Sequence, residues 1–322
     1  MRTFLIRRFL QLIPVIFMIT IAVYFMNAAA PGDPTSKMMD PNMTVEEKQR
    51  LREKFDLDKS VIERYAAWVS ELVFHQNLGH STAYGQPVTK VIQLYMWNTF
   101  VLSATALLIS ILIGIPAGIV SATKQYSLFD NAVTVFAFAG RSVPAFFFGL
   151  MLIKVFAIDL GWFPISGMAE PGSKDIGTWH YMKDVMYHMV LPALVLGLPG
   201  AAGYMRFTRT AMLEVIRQDY VRTARSKGLA EKVVIYKHAL RNALIPIITL
   251  LGFALPGLFG GAIITEKLFA WPGLGTIAFK AVTDRDYPLL MGTTLFFSIL
   301  TLTGNLLADI CYGLADPRIK YN

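Results

Sequence analysis

The sequence is poor in charged residues and has almost no cysteine. Asp, Glu, Lys and Arg make up 16% of its 322 residues, against roughly 25% in an average soluble domain. The single cysteine, Cys311, excludes an internal disulfide, and no group of Cys and His suggests a metal site. The five histidines fall in no His-Glu-x-x-His pattern. These absences count against a soluble domain, a disulfide-bonded fold and a metal centre.

The sequence instead contains long apolar runs, and a helix that spans a membrane needs about 20 such residues. Six runs are candidates: residues 9–30, 99–123, 131–158, 188–205, 242–265 and 288–312. In lipid a helix satisfies all its own backbone groups, so the sequence predicts an all-α polytopic protein with six transmembrane helices. The first run, preceded by Arg7 and Arg8, has a rival interpretation as a signal peptide. Its length exceeds the usual apolar region of about 7–15 residues, which favours a retained helix.

Positive charge is distributed unevenly between the segments that connect these runs. Nine basic residues lie between Arg206 and Arg241, and further ones precede the first run and follow the last. Because Lys and Arg concentrate in cytoplasmic loops, we expect both termini in the cytoplasm. The same distribution explains the net charge of +8 without a nucleic-acid partner.

This orientation divides the chain into four parts. Residues 1–30 form the N-terminal cytoplasmic tip and first transmembrane helix, and residues 31–97 form an extracytoplasmic helical segment. Residues 98–313 form a five-helix core with a cytoplasmic loop at 206–241, and residues 314–322 form a cytoplasmic tail.

The extracytoplasmic segment carries two capping boxes, in which a hydroxyl and a Glu satisfy helix-end N–H groups reciprocally. They are Thr44 with Glu47 and Ser60 with Glu63. The second predicted helix has an apolar stripe at helical spacing: Val61, Tyr65, Trp68 and Leu72. Two interpretations are open. The stripe either packs on the membrane domain or at the lipid headgroups, or it forms a docking surface for an outer partner.

The basic loop at 206–241 has its own helix signals. Asp219 is a suitable N-cap, Tyr220 to Lys227 then forms two turns, and Gly228 follows as the residue that ends the helix in a left-handed conformation. Lys227 complements the dipole of the last turn. A second helix begins near Glu231, and the small Ala224 lets another surface approach closely. These residues fit either a docking element or a hairpin lying on anionic headgroups.

Two absences limit the chemistry of the chain. No Gly-Lys dipeptide occurs, so there is no phosphate-binding P-loop and no ATP hydrolysis by that route. No predicted span has a central Asp or Glu, since Asp309 lies near an end. Coupling-ion sites in secondary transporters usually use such acids, and no convergent catalytic set suggests a membrane enzyme.

Several stretches resemble a known family. Arg222-Thr223-Ala224-x-x-x-Gly228, followed by His238 to Pro246, resembles the "EAA" loop of type I ABC importer permeases, with Arg222 where the general motif has Glu. Others resemble the dipeptide/oligopeptide/nickel permease family, in particular its oligopeptide-permease B-type subunit. They are Arg8-Phe9-Leu10 with Pro14, Ala30-Pro31-Gly32-Asp33-Pro34, Asn77-Leu78-Gly79-His80-Ser81, Trp162-Phe163-Pro164, Glu266-x-x-Phe269-x-Trp271-Pro272-Gly273-Leu274-Gly275 and Ala315-Asp316-Pro317-Arg318.

The resemblance implies a type I ABC importer permease fold in a prokaryotic cytoplasmic (inner) membrane. It implies a second homologous permease, two ATPase subunits that bind ATP and Mg, an extracytoplasmic substrate-binding protein and membrane lipid as partners. No cofactor or metal is expected on this chain. The expected cargo is a peptide, with nickel chelates, glutathione-like molecules and sugars as alternatives. The residues implied in coupling to the ATPase are Asp219, Tyr220, Arg222, Thr223, Ala224, Lys227, Gly228 and Leu229.

Arg141 is the one deep cation in the predicted third span. A charge at that depth is costly, by about 2.5–3.5 kcal/mol on insertion scales, so it should face the bundle interior or a water-filled path. One hypothesis gives it a structural partner, such as carbonyls freed by Pro144 or an acid on the companion permease. The other makes it a substrate-pathway cation that meets a peptide carboxylate, which its planar fork suits.

Overall fold

The computed structural model describes residues 2–29, 43–54, 58–254, 256–260 and 262–315. In these ranges the regular secondary structure is helical, apart from one isolated bridge between His80 and Pro87, and turns and loops connect the helices. The helices in chain order are α1 (Arg2–Ala29), α2 (Val45–Lys54), α3 (Val61–His75), α4 (Val88–Thr123), α5 (Leu128–Ser142), α6 (Ala145–Leu152), α7 (Ser173–Ile176), α8 (Thr178–Ile216), α9 (Asp219–Ser226), α10 (Glu231–Val233), α11 (Leu240–Ala254), α12 (Ile263–Leu268), α13 (Leu274–Asp284) and α14 (Tyr287–Ala315).

Five helical stretches in the described ranges are long and apolar enough to cross a membrane, and α5 with α6 makes a sixth if the bent pair counts as one span. The five are α1, α4, α8, the stretch from α10 into α11, and α14. The predicted all-α, six-span architecture is therefore confirmed. The boundaries of the second to fifth spans differ from the prediction, and the second begins earlier, since α4 starts at Val88 while the predicted run starts at residue 99.

The third span is broken, whereas the sequence predicted one continuous helix over 131–158. The axes of α5 and α6 differ by 107°. Val143 between them is extended, with φ −81° and ψ 126°, because the ring of Pro144 disfavours a helical residue before it. Arg141 therefore lies in the last turn of α5 next to this break, not midway along a straight span. Its side chain lies outside the described part of the structure.

The fourth span is much longer than the predicted 188–205. Helix α8 has 39 residues, which corresponds to about 58 Å at about 1.5 Å per residue, while a hydrocarbon core is about 30 Å thick. Hydropathy identified only its apolar middle, because the helix continues into polar sequence at both ends. Its C-terminal end leads directly towards the predicted coupling helix.

The fifth span ends earlier than the predicted 242–265. Helix α11 ends at Ala254 and a 3₁₀ turn follows at Pro256–Leu258. Proline and glycine interrupt the helical pattern here. The chain then forms α12 and α13, which pack together and place the Trp271-Pro272-Gly273 stretch between them.

The N-terminal part is joined to the bundle by aromatic packing. Both capping boxes are present, with the N–H of Glu63 donating to Ser60 Oγ at 3.3 Å and that of Glu47 to Thr44 Oγ1 at 3.3 Å. Tyr65 of α3 is buried and forms a 2.9 Å hydrogen bond with Thr20 of α1. Its ring packs against the rings of Phe17 and Tyr24 of α1. The stripe on α3 thus packs on the membrane domain, which is the first of its two interpretations.

Helices α4 and α8 form the tightest pair in the bundle. A Cβ added at Gly118 would lie 2.6 Å from the carbonyl oxygen of Met205, so glycine is required for this approach. About two turns away, the hydroxyl of Ser110 donates to the carbonyl of Gly197 at 2.8 Å across the same interface. The pair provides a rigid base for the element that follows α8.

Candidate coupling surface

Two residues separate the end of α8 from the start of α9, so the two helices are almost directly connected. Gln218 precedes it in an extended conformation, with φ −74° and ψ 148°, and makes no side-chain cap. Asp219 is the first helical residue and not the predicted N-cap. Its carboxylate still lies in the first turn, where a negative charge complements the helix dipole.

The end of α9 follows the sequence prediction closely. Gly228 has a φ of +73°, and its N–H donates to the carbonyl of Arg225 at 2.9 Å. This left-handed conformation favours glycine, so the prediction of a positive φ at Gly228 is confirmed. Arg225 occupies the last turn and Lys227 is the residue just after it. The second helix begins at Glu231, as predicted.

One face of α9 is buried against the chain itself. Val221 is 0% exposed and Ala224 is 6% exposed. Both belong to one apolar cluster with residues of α4, α8 and the stretch from α10 to α11: Ile119, Ala122, Ala211, Met212, Val234, Ile235, Ala239 and Ala243. The structure thus differs from the sequence expectation for Ala224, because the close approach that its small side chain permits is by the chain's own helices.

The opposite face of α9 is exposed and basic. The exposed members of the predicted set form what we call the coupling surface: Asp219, Tyr220, Arg222, Thr223, Lys227, Gly228 and Leu229. Tyr220 is 43% exposed, and its hydroxyl accepts a 2.9 Å hydrogen bond from Asn242 Nδ2 of α11. Tyr220 and Arg222 on this surface are of residue types that are enriched at protein interfaces.

The turn after α9 is held by an ion pair. Arg225 Nη2 lies 2.7 Å from Glu231 Oε1 across the turn, and the Nε atom of Arg225 contacts the same carboxylate. The helix then widens into a π-helical section at Val234–Ala239 before α11, a feature that often marks functional sites. The coupling surface is therefore fixed to two spanning helices, α8 on one side and α11 on the other.

A partly buried ion pair, in which the Asp130 side chain is buried and the Arg209 side chain is 27% exposed, lies beside this region and was not predicted from the sequence. Arg209 of α8 donates from Nε to Asp130 Oδ1 at 2.9 Å and from Nη2 to Oδ2 at 3.0 Å. The hydroxyl of Ser121 on α4 donates to the same carboxylate, and so does the N–H of Tyr126 at 2.9 Å. In the sequence, Arg209 is one of the nine basic residues assigned to the loop. Only its position on the helical face of α8 could have indicated that it points into the bundle.

On the other side of the bundle, the stretch from Glu266 to Gly275 is organised around a buried carboxylate. Thr99 of α4 donates its hydroxyl to Glu266 Oε1 at 2.8 Å, while its oxygen accepts the N–H of Leu274 at 2.7 Å. Glu266 Oε2 accepts the N–H of Thr276 at 3.0 Å, in the first turn of α13. Burial raises the pKa of Glu266 and these hydrogen bonds oppose the rise. The carboxylate thus caps α13 and fixes it on α4.

A second acid fixes the loop that contains Asn77 to Ser81. Asp286 is fully buried and accepts hydrogen bonds from the hydroxyl of Ser81 at 2.5 Å and the N–H of Ala83 at 3.0 Å. Its other oxygen accepts the N–H of Leu289 at the start of α14. Among the described residues no group of three or more His, Cys, Asp or Glu is placed to hold a metal ion. Through its hydrogen bonds, Asp286 joins this loop to the start of α14.

Two family models match the chain in succession. The binding-protein-dependent transport system inner membrane component matches residues 114–321, and the N-terminal family of the same membrane component matches residues 1–102. The first match alone covers more than half of the chain. The chain belongs to the binding-protein-dependent transport system inner membrane component family. The coupling surface and the Asp130–Arg209 pair both fall within the part that the first model matches.

Named members of this permease family match over the whole chain. The protein is 40% identical over 322 residues to the oligopeptide transport system permease protein AppB of Bacillus subtilis (strain 168), with all of both chains covered. It is 39% identical over 342 residues to the di/tripeptide transport system permease protein DppB of Pseudomonas aeruginosa (strain UCBPP-PA14). That match covers 100% of this chain and 99% of the relative. The resemblance found in the sequence is confirmed.

A solved transporter has the same fold. The structure is the inward-facing MetNI methionine ABC transporter, matched with a TM-score of 0.52 and 17% sequence identity. The match covers 71% of this permease and 97% of that chain. At this identity the likeness concerns the fold alone, and it confirms the type I ABC importer permease fold for this multi-pass inner-membrane protein.

Proposed function

We propose that this permease forms half of the translocation pathway of an ATP-driven peptide importer. A second homologous permease forms the other half, and an extracytoplasmic binding protein delivers the peptide. Two separate ATPase subunits bind ATP and Mg, dock on the cytoplasmic side and supply the energy. Full-length similarity to AppB and DppB supports the peptide cargo.

The observation that carries the proposal is the two-faced character of α9. Its buried face, Val221 and Ala224, holds it in the apolar cluster of the bundle, while the coupling surface remains uncovered within this chain. A helix held in this way transmits a push to α8 and α11, whereas a loose loop would absorb it. A partner with an acidic, aromatic-binding groove would complement this basic surface.

Copurification tests the docking of the ATPase. Lys227→Glu reverses one exposed charge on the coupling surface without touching the buried face, so we expect normal membrane insertion and loss of most of the copurifying ATPase. Lys90→Glu, an exposed reversal at the start of α4, is the matched control and should retain wild-type ATPase. Equal ATPase recovery from both variants would remove the docking role from this surface.

Growth on defined nutrients tests the cargo. A strain that lacks this gene, supplied with single peptides as the sole source of a required amino acid, should fail to grow where the complemented strain grows. Normal growth on every peptide, together with lost uptake of a nickel chelate, glutathione or a sugar, would show a different cargo for the same machine.

Arg141 extends the proposal into the pathway. Its place in the last turn of α5, three residues before Pro144, puts it at the break between two helices. A pathway role predicts that Arg141→Lys and Arg141→Met both assemble normally and impair transport. A structural role predicts that Arg141→Met lowers the yield or melting temperature of the complex. Normal assembly and transport by Arg141→Met would contradict both roles.

A further inference from the structure

The ion pair between Asp130 and Arg209 joins three helix ends at one point. Asp130 lies in the first turn of α5, Arg209 in the last third of α8, and Ser121 near the end of α4. The two charged side chains form a bidentate pair at 2.9 and 3.0 Å, and Ser121 bonds to both of them. A bidentate guanidinium–carboxylate pair fixes orientation as well as distance.

The ion pair between Asp130 and Arg209 connects α5 to α8 in addition to lying at the start of α5. Ser127 caps this helix, since its Oγ accepts the N–H of Asp130 at 3.2 Å, and the carboxylate of Asp130 accepts the N–H of Tyr126 while it also binds across to α8. The Asp130 side chain is 3% exposed. A charge buried to this extent is expensive unless it is paired, and here Arg209 supplies the compensating charge.

The same region is continuous with the support of the coupling surface. Ser121 bonds to the ion pair, while the next residue, Ala122, packs in the apolar cluster that holds Val221 and Ala224. A displacement of α9 therefore reaches the ion pair through α4 as well as along α8.

Helix α5 is arranged to respond to such a displacement. Its first turn is bound to α8 by the ion pair, and its other end stops at the 107° break before α6. Val135, Phe136 and Phe138 of this helix are exposed in this chain. Helix α5 also packs against α8 and α4, so it can follow a shift of α8 as a unit that turns about a break in the chain.

We propose that Asp130 and Arg209 are the positioning residues that carry movement of the coupling surface to α5. This inference rests on the proposed function, because it assumes that an ATPase moves α9. When the inner end of α8 shifts, the ion pair carries the first turn of α5 with it, and α5 turns about the Val143–Pro144 break. The pair thus acts on the pathway without touching the peptide.

The test uses the whole complex reconstituted in liposomes with its binding protein and ATPase subunits. Arg209→Lys keeps the charge and loses the fork, and Asp130→Asn keeps the shape and loses the charge. We expect both to retain ATPase copurification and basal ATP hydrolysis. We also expect the uptake of radiolabelled di- and oligoalanine per ATP hydrolysed to fall about fivefold or more, the lower end of typical coupling effects.

The control is Lys154→Met, which breaks the exposed Lys154–Asp159 pair at 2.7 Å and should leave the ratio unchanged. A wild-type ratio in both single variants would overturn the proposal, and so would a fall in complex yield or melting temperature for Arg209→Lys, which indicates a purely structural pair. Absence of ATP-driven uptake by the wild-type complex would instead refute the proposed function.

Discussion

Gly228 offers a clean test of whether the shape of the coupling helix matters for transport. Its φ of +73° lies in the left-handed region, which disfavours a residue with a Cβ by roughly 1–2 kcal/mol. A Cβ added there would meet no other atom within 4 Å. Gly228→Val therefore perturbs only the backbone and leaves the packing around it intact. A β-branched residue is the least tolerant of this conformation.

We expect Gly228→Val to destabilise the folded C-terminal turn of α9 by about 1–2 kcal/mol. This corresponds to a roughly 5- to 30-fold fall in the ratio of the folded to the frayed turn. Gly228→Asn is the matched variant, because asparagine tolerates the left-handed region. Hydrogen exchange of amides in the Arg225–Gly228 turn should accelerate in the valine variant and much less in the asparagine variant. Transport and ATPase association should fall in the same order, with normal membrane insertion. Equal exchange and equal transport in both variants would refute the reasoning.

Three further predictions concern the membrane topology, the packing of α9 and the buried carboxylate of Glu266. In a background without Cys311, a cysteine that replaces exposed Asp175 should react with a thiol reagent added outside the cell. A cysteine that replaces Ser226 should react only with a thiol reagent added inside, and reaction at Ser226 from outside would contradict the orientation. Val221→Ala removes two methyl groups from a fully buried site, so it should lower stability by about 1.5–3 kcal/mol in a thermal melt of the purified complex, and no change would show that α9 does not depend on the apolar cluster. Glu266→Gln places an amide where a carboxylate accepts hydrogen bonds, so it should lower the stability of the complex by about 1–3 kcal/mol and with it the melting temperature. An unchanged melting temperature would contradict the anchoring role of Glu266.

Features set by a few neighbouring residues could be predicted from the sequence. The capping boxes and the end of α9 at Gly228 depend on contacts within one turn, and the structure has them where the pattern placed them. Apolar runs likewise predicted the six spans, because the energetic demand of lipid acts on each run separately.

Features set by tertiary packing could not be predicted in the same way. Arg209 and Asp130 are 79 residues apart in the sequence, and nothing local marks them as partners. Ala224 is small for a reason that only the packed cluster shows. The break at Val143–Pro144 was signalled by the proline, yet a proline inside a span is often tolerated as a kink, so the 107° bend needed the structure.

Photo-crosslinking from the coupling surface tests the central claim most directly. A benzophenone-bearing phenylalanine analogue replaces Tyr220, whose ring is exposed on α9, and in a control replaces Trp179, exposed at the far end of α8. After irradiation in intact cells, mass spectrometry identifies the adducts. We predict an adduct with a P-loop ATPase from position 220 and none from position 179. Adducts with lipid alone at position 220, or an ATPase adduct at position 179, would contradict the account.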